Sequence, residues 1–153
     1  MVNQGVALGQ LGRFKDEALN YDKVIERLDG ALDVDLQASL AMGLIKKGFV
    51  LGRMGQPGAE LDHYEQVVER FGEETAPELE GQVAIALLSK AITLRLMGGT
   101  AQEISVYEDI ARRFGKSTNP AVARYVADAL EYKRDTLADS DSDSEREIYT
   151  DAT

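Results

Sequence analysis

The sequence predicts an all-α solenoid: three helix–turn–helix repeats and one closing helix, about seven helices in all, with no strand. Three observations carry this. The stretch 48–71, GFVLGRMGQPGAELDHYEQVVERF, recurs upstream over 5–28 as GVALGQLGRFKDEALNYDKVIERL and downstream over 91–114 as AITLRLMGGTAQEISVYEDIARRF. The alignment does not drift, since Gly12, Gly55 and Gly98 are 43 residues apart, and so are Tyr21, Tyr64 and Tyr107. A fixed period of this size marks stacked supersecondary units. Within each unit apolar residues step by three and four, the spacing of a helix face rather than a strand.

The elements follow in order. The first repeat, about 1–30, starts with Met1 where later copies have Leu44 and Leu87, so it lacks the segment equivalent to 35–43. Its first helix is therefore short, and an apolar patch including Val2 and Val6 is expected at that end. Either a longer array has been trimmed or a partner covers the patch, and self-association through this incomplete repeat is one expectation. The linker DGALDVD leads into the second repeat, 34–72. There Leu40, Leu44, Gly48 and Leu51 form one stripe, repeated by Val83, Leu87, Ala91 and Leu94 in the third repeat, 77–115. Gly12, Gly55 and Gly98 fall where a helix closes, because glycine takes the left-handed conformation without a Cβ penalty. A second helix follows at once, with Pro57 suited to its first turn and Thr100 as a cap for the counterpart. Tyr64, Val67, Val68 and Phe71 are its apolar face, matched by Tyr107, Ile110, Ala111 and Phe114; Gly72 and Gly115 end it. A capping helix over 119–137 continues the first-helix stripe through Val126, Leu130 and Leu137, with Asp128, Glu131 and Asp135 as the polar outer side a cap requires. From 138 to 153 the chain reads as a disordered acidic tail. Between Asp135 and the end stand seven acids and one arginine, a composition that does not offset ordering entropy. Ser140, Ser142 and Ser144 each have an acid three residues on, a pattern acidophilic kinases accept.

The order of small residue, leucine, glycine and tyrosine, as in Gly48, Leu51, Gly55 and Tyr64, resembles the tetratricopeptide repeat over residues 1–137. The resemblance implies a right-handed solenoid whose first helices line a concave side. This would be a long-period variant, with 43 residues per unit where the family usually has 34. It also departs in carrying Glu17, Glu60 and Glu103 where the family usually has alanine. HEAT and armadillo arrays have periods near this one but lack the glycine–tyrosine spacing, and are the alternative fold.

Those glutamates admit two readings. Glu60 and Glu103 each lie 13 residues after a lysine, Lys47 and Lys90, which suggests a Lys–Glu pair across the two helices of a unit. Alternatively they serve their own helix N-termini, where the dipole favours an anion, and Thr100 with Glu103 fits a capping box.

Composition excludes several functions. There is no cysteine, hence no disulfide or thiolate metal site, and the formal charge is −10, which opposes non-specific nucleic-acid binding. No apolar run reaches membrane-span length, and no signal-like segment opens the chain. A cytoplasmic protein is the expectation. The single histidine, His63, reads as a solvated helix residue, and the glycines of GVALGQLG lie on a helix rather than after a strand, which rules against phosphate binding. With no catalytic constellation, metal site or cofactor motif, the expectation is a non-enzymatic scaffold that binds a peptide or protein segment. The alternative is a structural, self-assembling piece of a longer array. The candidate surface is a second stripe on the first helices: Met42, Ile45 and Phe49 with Arg53, and Ile85, Leu88 and Ile92 with Arg95 at its edge; it is expected to hold an apolar or amphipathic segment, the arginines receiving an acidic flank. A helix apolar on two sides is buried on both or presents one to a partner.

Overall fold

The computed structural model describes the backbone of residues 2–150 and the side chains of residues 10–142. Six helices follow one another: α1 (Val2–Leu28), α2 (Val34–Arg53), α3 (Pro57–Phe71), α4 (Pro77–Leu96), α5 (Thr100–Phe114) and α6 (Pro120–Thr150). No strand occurs among the described residues. The helical class is as expected, but the helices among the described residues number six, not seven.

The difference lies at Gly12. Gly55 and Gly98 take φ of +77° and +79° and close α2 and α4, whereas α1 runs through Gly12 without a break. A lone glycine inside a helix costs only about 1 kcal/mol relative to alanine. It breaks the helix where something else favours the turn. After Gly55 that is Pro57, which opens α3 and suits a first helical turn; after Gly98 a second glycine follows. Arg13, Phe14 and Lys15 offer no such stop. The expected patch at Val2 and Val6 lies outside the residues whose side chains are described.

At the other end, α6 does not stop at residue 137 to leave a disordered tail; its backbone is helical to Thr150. The reason is again in the stops. Every earlier helix ends near a glycine, and residues 121–150 contain neither glycine nor proline.

α2 with α3, and α4 with α5, are antiparallel pairs joined by short turns. α2 lies against α4 and α4 against α6, while α3 and α5 touch only even-numbered helices. The touching helices α2, α4 and α6 are here named the inner row, and α1, α3 and α5 the outer row. The core fills the space between rows, with Leu44, Leu79, Val83 and Leu87 from the inner row meeting Tyr64, Val67, Tyr107 and Ile110 from the outer. At Gly48 the two rows lie close, since a Cβ there would stand 3.1 Å from the Tyr64 ring and 3.2 Å from the Glu60 carbonyl oxygen.

The lysines correct a sequence expectation. Lys47 pairs with Asp22 of α1, Lys90 with Glu65 of α3 at 2.5 Å, and Lys133 with Glu108 of α5 at 2.7 Å. Each pair spans 25 residues and joins one unit to the next. Lys47 and Lys90 do not take Glu60 and Glu103 as partners, because their side chains leave the helix toward the preceding outer helix. A second repeated contact lies beside this ladder: Arg70 reaches Asp29 and Arg113 reaches the Gly72 carbonyl, each 41 residues back.

The glutamates do not cap either. Thr100 opens α5 after Gly99, and no side chain caps that terminus. Glu60 Oε1 instead accepts from Tyr64 Oη at 2.7 Å, and Glu103 Oε1 from Tyr107 Oη at 2.9 Å. Glu103, 1% exposed, accepts a second bond from Thr136 Oγ1 of α6 at 3.0 Å. That bond joins the last two helices, and no buried side-chain polar atom among the described residues lacks a partner.

Candidate binding surface on the inner row

The inner surface is built by the turns that expose it. Because α3 folds back on one side of α2 and α4 packs on another, the remaining arc of α2 faces outward along the row. The predicted stripe divides there. Met42 and Phe49 of α2 and Ile92 of α4 are exposed, Phe49 at 57%. Ile45 and Leu88 pack partly against the core, and Ile85 is half-buried. The stripe is thus anchored at its centre and open along its crest.

Arg53 and Arg95, expected at the edge, are both exposed, but Arg53 is already engaged. Its guanidinium carbon lies 4.3 Å from the centroid of the Phe14 ring and 5.9 Å from that of Phe49. Such stacking contributes about 0.5–1 kcal/mol at an exposed site and sets Arg53 between Phe49 and the middle of α1. Arg95 lies close enough to Tyr107 for its charge to act on the phenol.

On α6 the surface changes character. The positions 43 residues after Ile85, Leu88 and Ile92 are Asp128, Glu131 and Asp135. The row therefore presents apolar side chains on α2 and α4 and carboxylates on α6. These acids read as a solvated cap in the sequence, yet the repeat period that identified the apolar stripe places them in line with it.

No tight chemical centre interrupts this surface. Among the described residues no cluster of His, Asp or Glu has the makings of a metal site, and no helix is long and apolar enough to cross a membrane. His63 is half-buried, with Nδ1 2.8 Å from the Ala59 carbonyl within its own helix. The groups with displaced ionisation are structural. Burial holds the Tyr64 and Tyr107 phenols well above the usual range, reinforced by their bonds to Glu60 and Glu103.

The fold and surface together define a helical repeat protein with an open inner face. No protein-family model, curated protein or solved structure matches the chain.

Proposed function

We propose that the chain is a non-enzymatic binding scaffold of tetratricopeptide type, a right-handed solenoid working in the cytoplasm. Its inner row holds an amphipathic segment of a protein partner. The apolar side of that segment lies on Met42, Phe49 and Ile92, and its basic residues lie over Asp128, Glu131 and Asp135. The observation that carries this reading is the exposed apolar crest continuing in register into three carboxylates. A water-facing phenylalanine beside two other exposed apolar residues is a patch that association would cover, and the acids choose the sign of what arrives. The charge balance thus favours a basic flank; Arg53, occupied by two aromatic rings, is not free to receive an acidic one.

The test uses fluorescence anisotropy with a labelled amphipathic peptide of leucine and lysine, and with the same peptide carrying glutamate for lysine. The lysine peptide is expected to bind and the glutamate peptide is not. Phe49→Asp should weaken the lysine peptide by about tenfold or more, as loss of a central apolar anchor does. Because Phe49 is more than half exposed, the thermal midpoint should move by only about 1–3 °C. Equal binding of both peptides, binding of neither, or a midpoint that falls as for a core substitution refutes the proposal.

A further inference from the structure

Two faces of the molecule lie bare for one reason: the helices that carry them do not turn. The chain doubles back after α4, and α5 covers Leu87. α6 runs on past the matching point to Thr150, and among the described residues no later helix folds back onto it. Leu130, 43 residues after Leu87, is 50% exposed, against 2% for Leu87 and 1% for Leu44. Leu137, at the place of Leu94, is exposed beside it. At the other end α1 is an outer-row helix by its Tyr21, yet it runs straight through Gly12, and no inner-row helix of its own unit packs against it. One flank of Val24 lies near Gly43 of α2. The other is open, so Val24 is 40% exposed where Val67 and Ile110 are 0%.

We infer that these faces are the two halves of one contact. α6 of one molecule receives α1 of a second copy, antiparallel, as α4 receives α5, and copies join head to tail. The molecule supplies the template twice, in α2–α3 and α4–α5. An outer helix short of an inner one meets an inner helix short of an outer one, and the joint unit continues the 43-residue period across the boundary.

Two further features fit this occupant. Arg134 stands where Gly48 and Ala91 stand in α2 and α4; a Cβ on Gly48 would already stand 3.1 Å from the Tyr64 ring, so the incoming helix lies farther from α6 at this point than α3 lies from α2. Around Gly48 the neighbours are Glu60, His63 and Tyr64; the α1 residues at those places are Glu17, Asn20 and Tyr21. Arg134 is largely exposed and held only by contacts to Glu131 and Asp135 at 4.0 and 3.7 Å. In the contact it faces the exposed Glu17 carboxylate, and Asn20, smaller than His63, leaves room for the guanidinium. The helix lengths match as well. α1 extends over 2–12 before its outer-row part, and α6 extends over 140–150 beyond its inner-row part. In an antiparallel pair both extensions lie on the same side, one along the other. A contact of this heterologous kind does not close on itself in a dimer and builds rings or open chains.

Sedimentation equilibrium on the full chain tests this. Wild type should associate with rising concentration beyond the dimer. Leu130→Asp and Val24→Asp should each be monomeric, since each blocks one end. An equimolar mixture of the two should form a dimer and nothing larger, because one good α6 face meets one good α1 face. Wild type that stays monomeric up to about 1 mM, a concentration at which even a very weak association is visible, overturns the inference. So does a Val24→Asp chain that still pairs alone, which would mean a symmetric α6–α6 contact. If Val24→Asp does not fold, Glu17→Arg replaces it as the head-blocked variant. Adding Arg134→Glu to that chain should restore association; failure to restore it also overturns the inference. Phe49→Asp, on the inner row, should associate as wild type does.

Discussion

Replacing Thr136 with valine keeps the shape of the side chain and removes one hydroxyl. That hydroxyl donates to Glu103 Oε1 at 3.0 Å, in a site where Glu103 is 1% and Thr136 7% exposed. Tyr107 then remains as the carboxylate's donor among the described residues, at 2.9 Å. A hydrogen bond lost in such a setting costs about 1–3 kcal/mol, the upper end applying when the acceptor is charged. For a chain of this length each kcal/mol moves the midpoint by about 2–4 °C, so Thr136→Val should melt roughly 2–12 °C below wild type by circular dichroism. Thr93→Val is the control. Thr93 holds the equivalent place one unit earlier and is equally buried, but its hydroxyl bonds the Ser89 carbonyl of its own helix at 3.1 Å. Its loss should stay within about 1 kcal/mol. If the two substitutions cost the same, or Thr136→Val costs nothing measurable, the buried carboxyl group is not what fastens α6 to α5.

Two other outcomes are expected. Tyr64 and Tyr107 are raised in the fold by burial and by their glutamates, so folding favours their protonated form. Their contribution is complete below the unfolded tyrosine value of about 10 and is lost as pH rises above it, at about 1.4 kcal/mol per pH unit for each residue. Urea titrations from pH 9 to 11.5 should show this fall, and Tyr107→Phe should flatten it; a flat wild-type profile would contradict the burial argument. For the ladder, a double-mutant cycle on Lys90 and Glu65 should give a coupling below about 1 kcal/mol, since the acid is half exposed. That coupling should shrink with salt, and a larger, salt-insensitive value would mean the pair is buried in a way the structure does not show.

The units, their order and the two working glycine stops were legible in the sequence because period and stop chemistry are local. Gly12 was not, because a glycine only permits a turn. Whether the chain takes it depends on the residues that follow and on a helix to fold back onto. The lysine partners were hidden for a related reason. Lys47 has acids within reach on several sides, and only the packing of one unit on the next selects Asp22. The signal existed all the same, since Asp22, Glu65 and Glu108 form an acidic column with the period of the repeat. The apolar half of the inner surface was visible as Met42, Phe49 and Ile92. Asp128, Glu131 and Asp135 fit a cap's polar side as well as a continuation of the stripe, because charged residues on a terminal helix carry no mark of which neighbour they face.

The order of contacts has a kinetic consequence. Among the described residues every helix touches only helices one or two places away along the chain, and no contact ties α1 to α6. Such low contact order favours fast folding, because no long loop has to close before contacts form. It also lets structure start at any unit and spread to its neighbours. The α3–α4 junction, covered on both sides, is the natural place to begin, with α1 and α6 joining last. Amide exchange should then be slowest in the middle helices and quicken toward both ends, so that the terminal helices open while the centre stays folded.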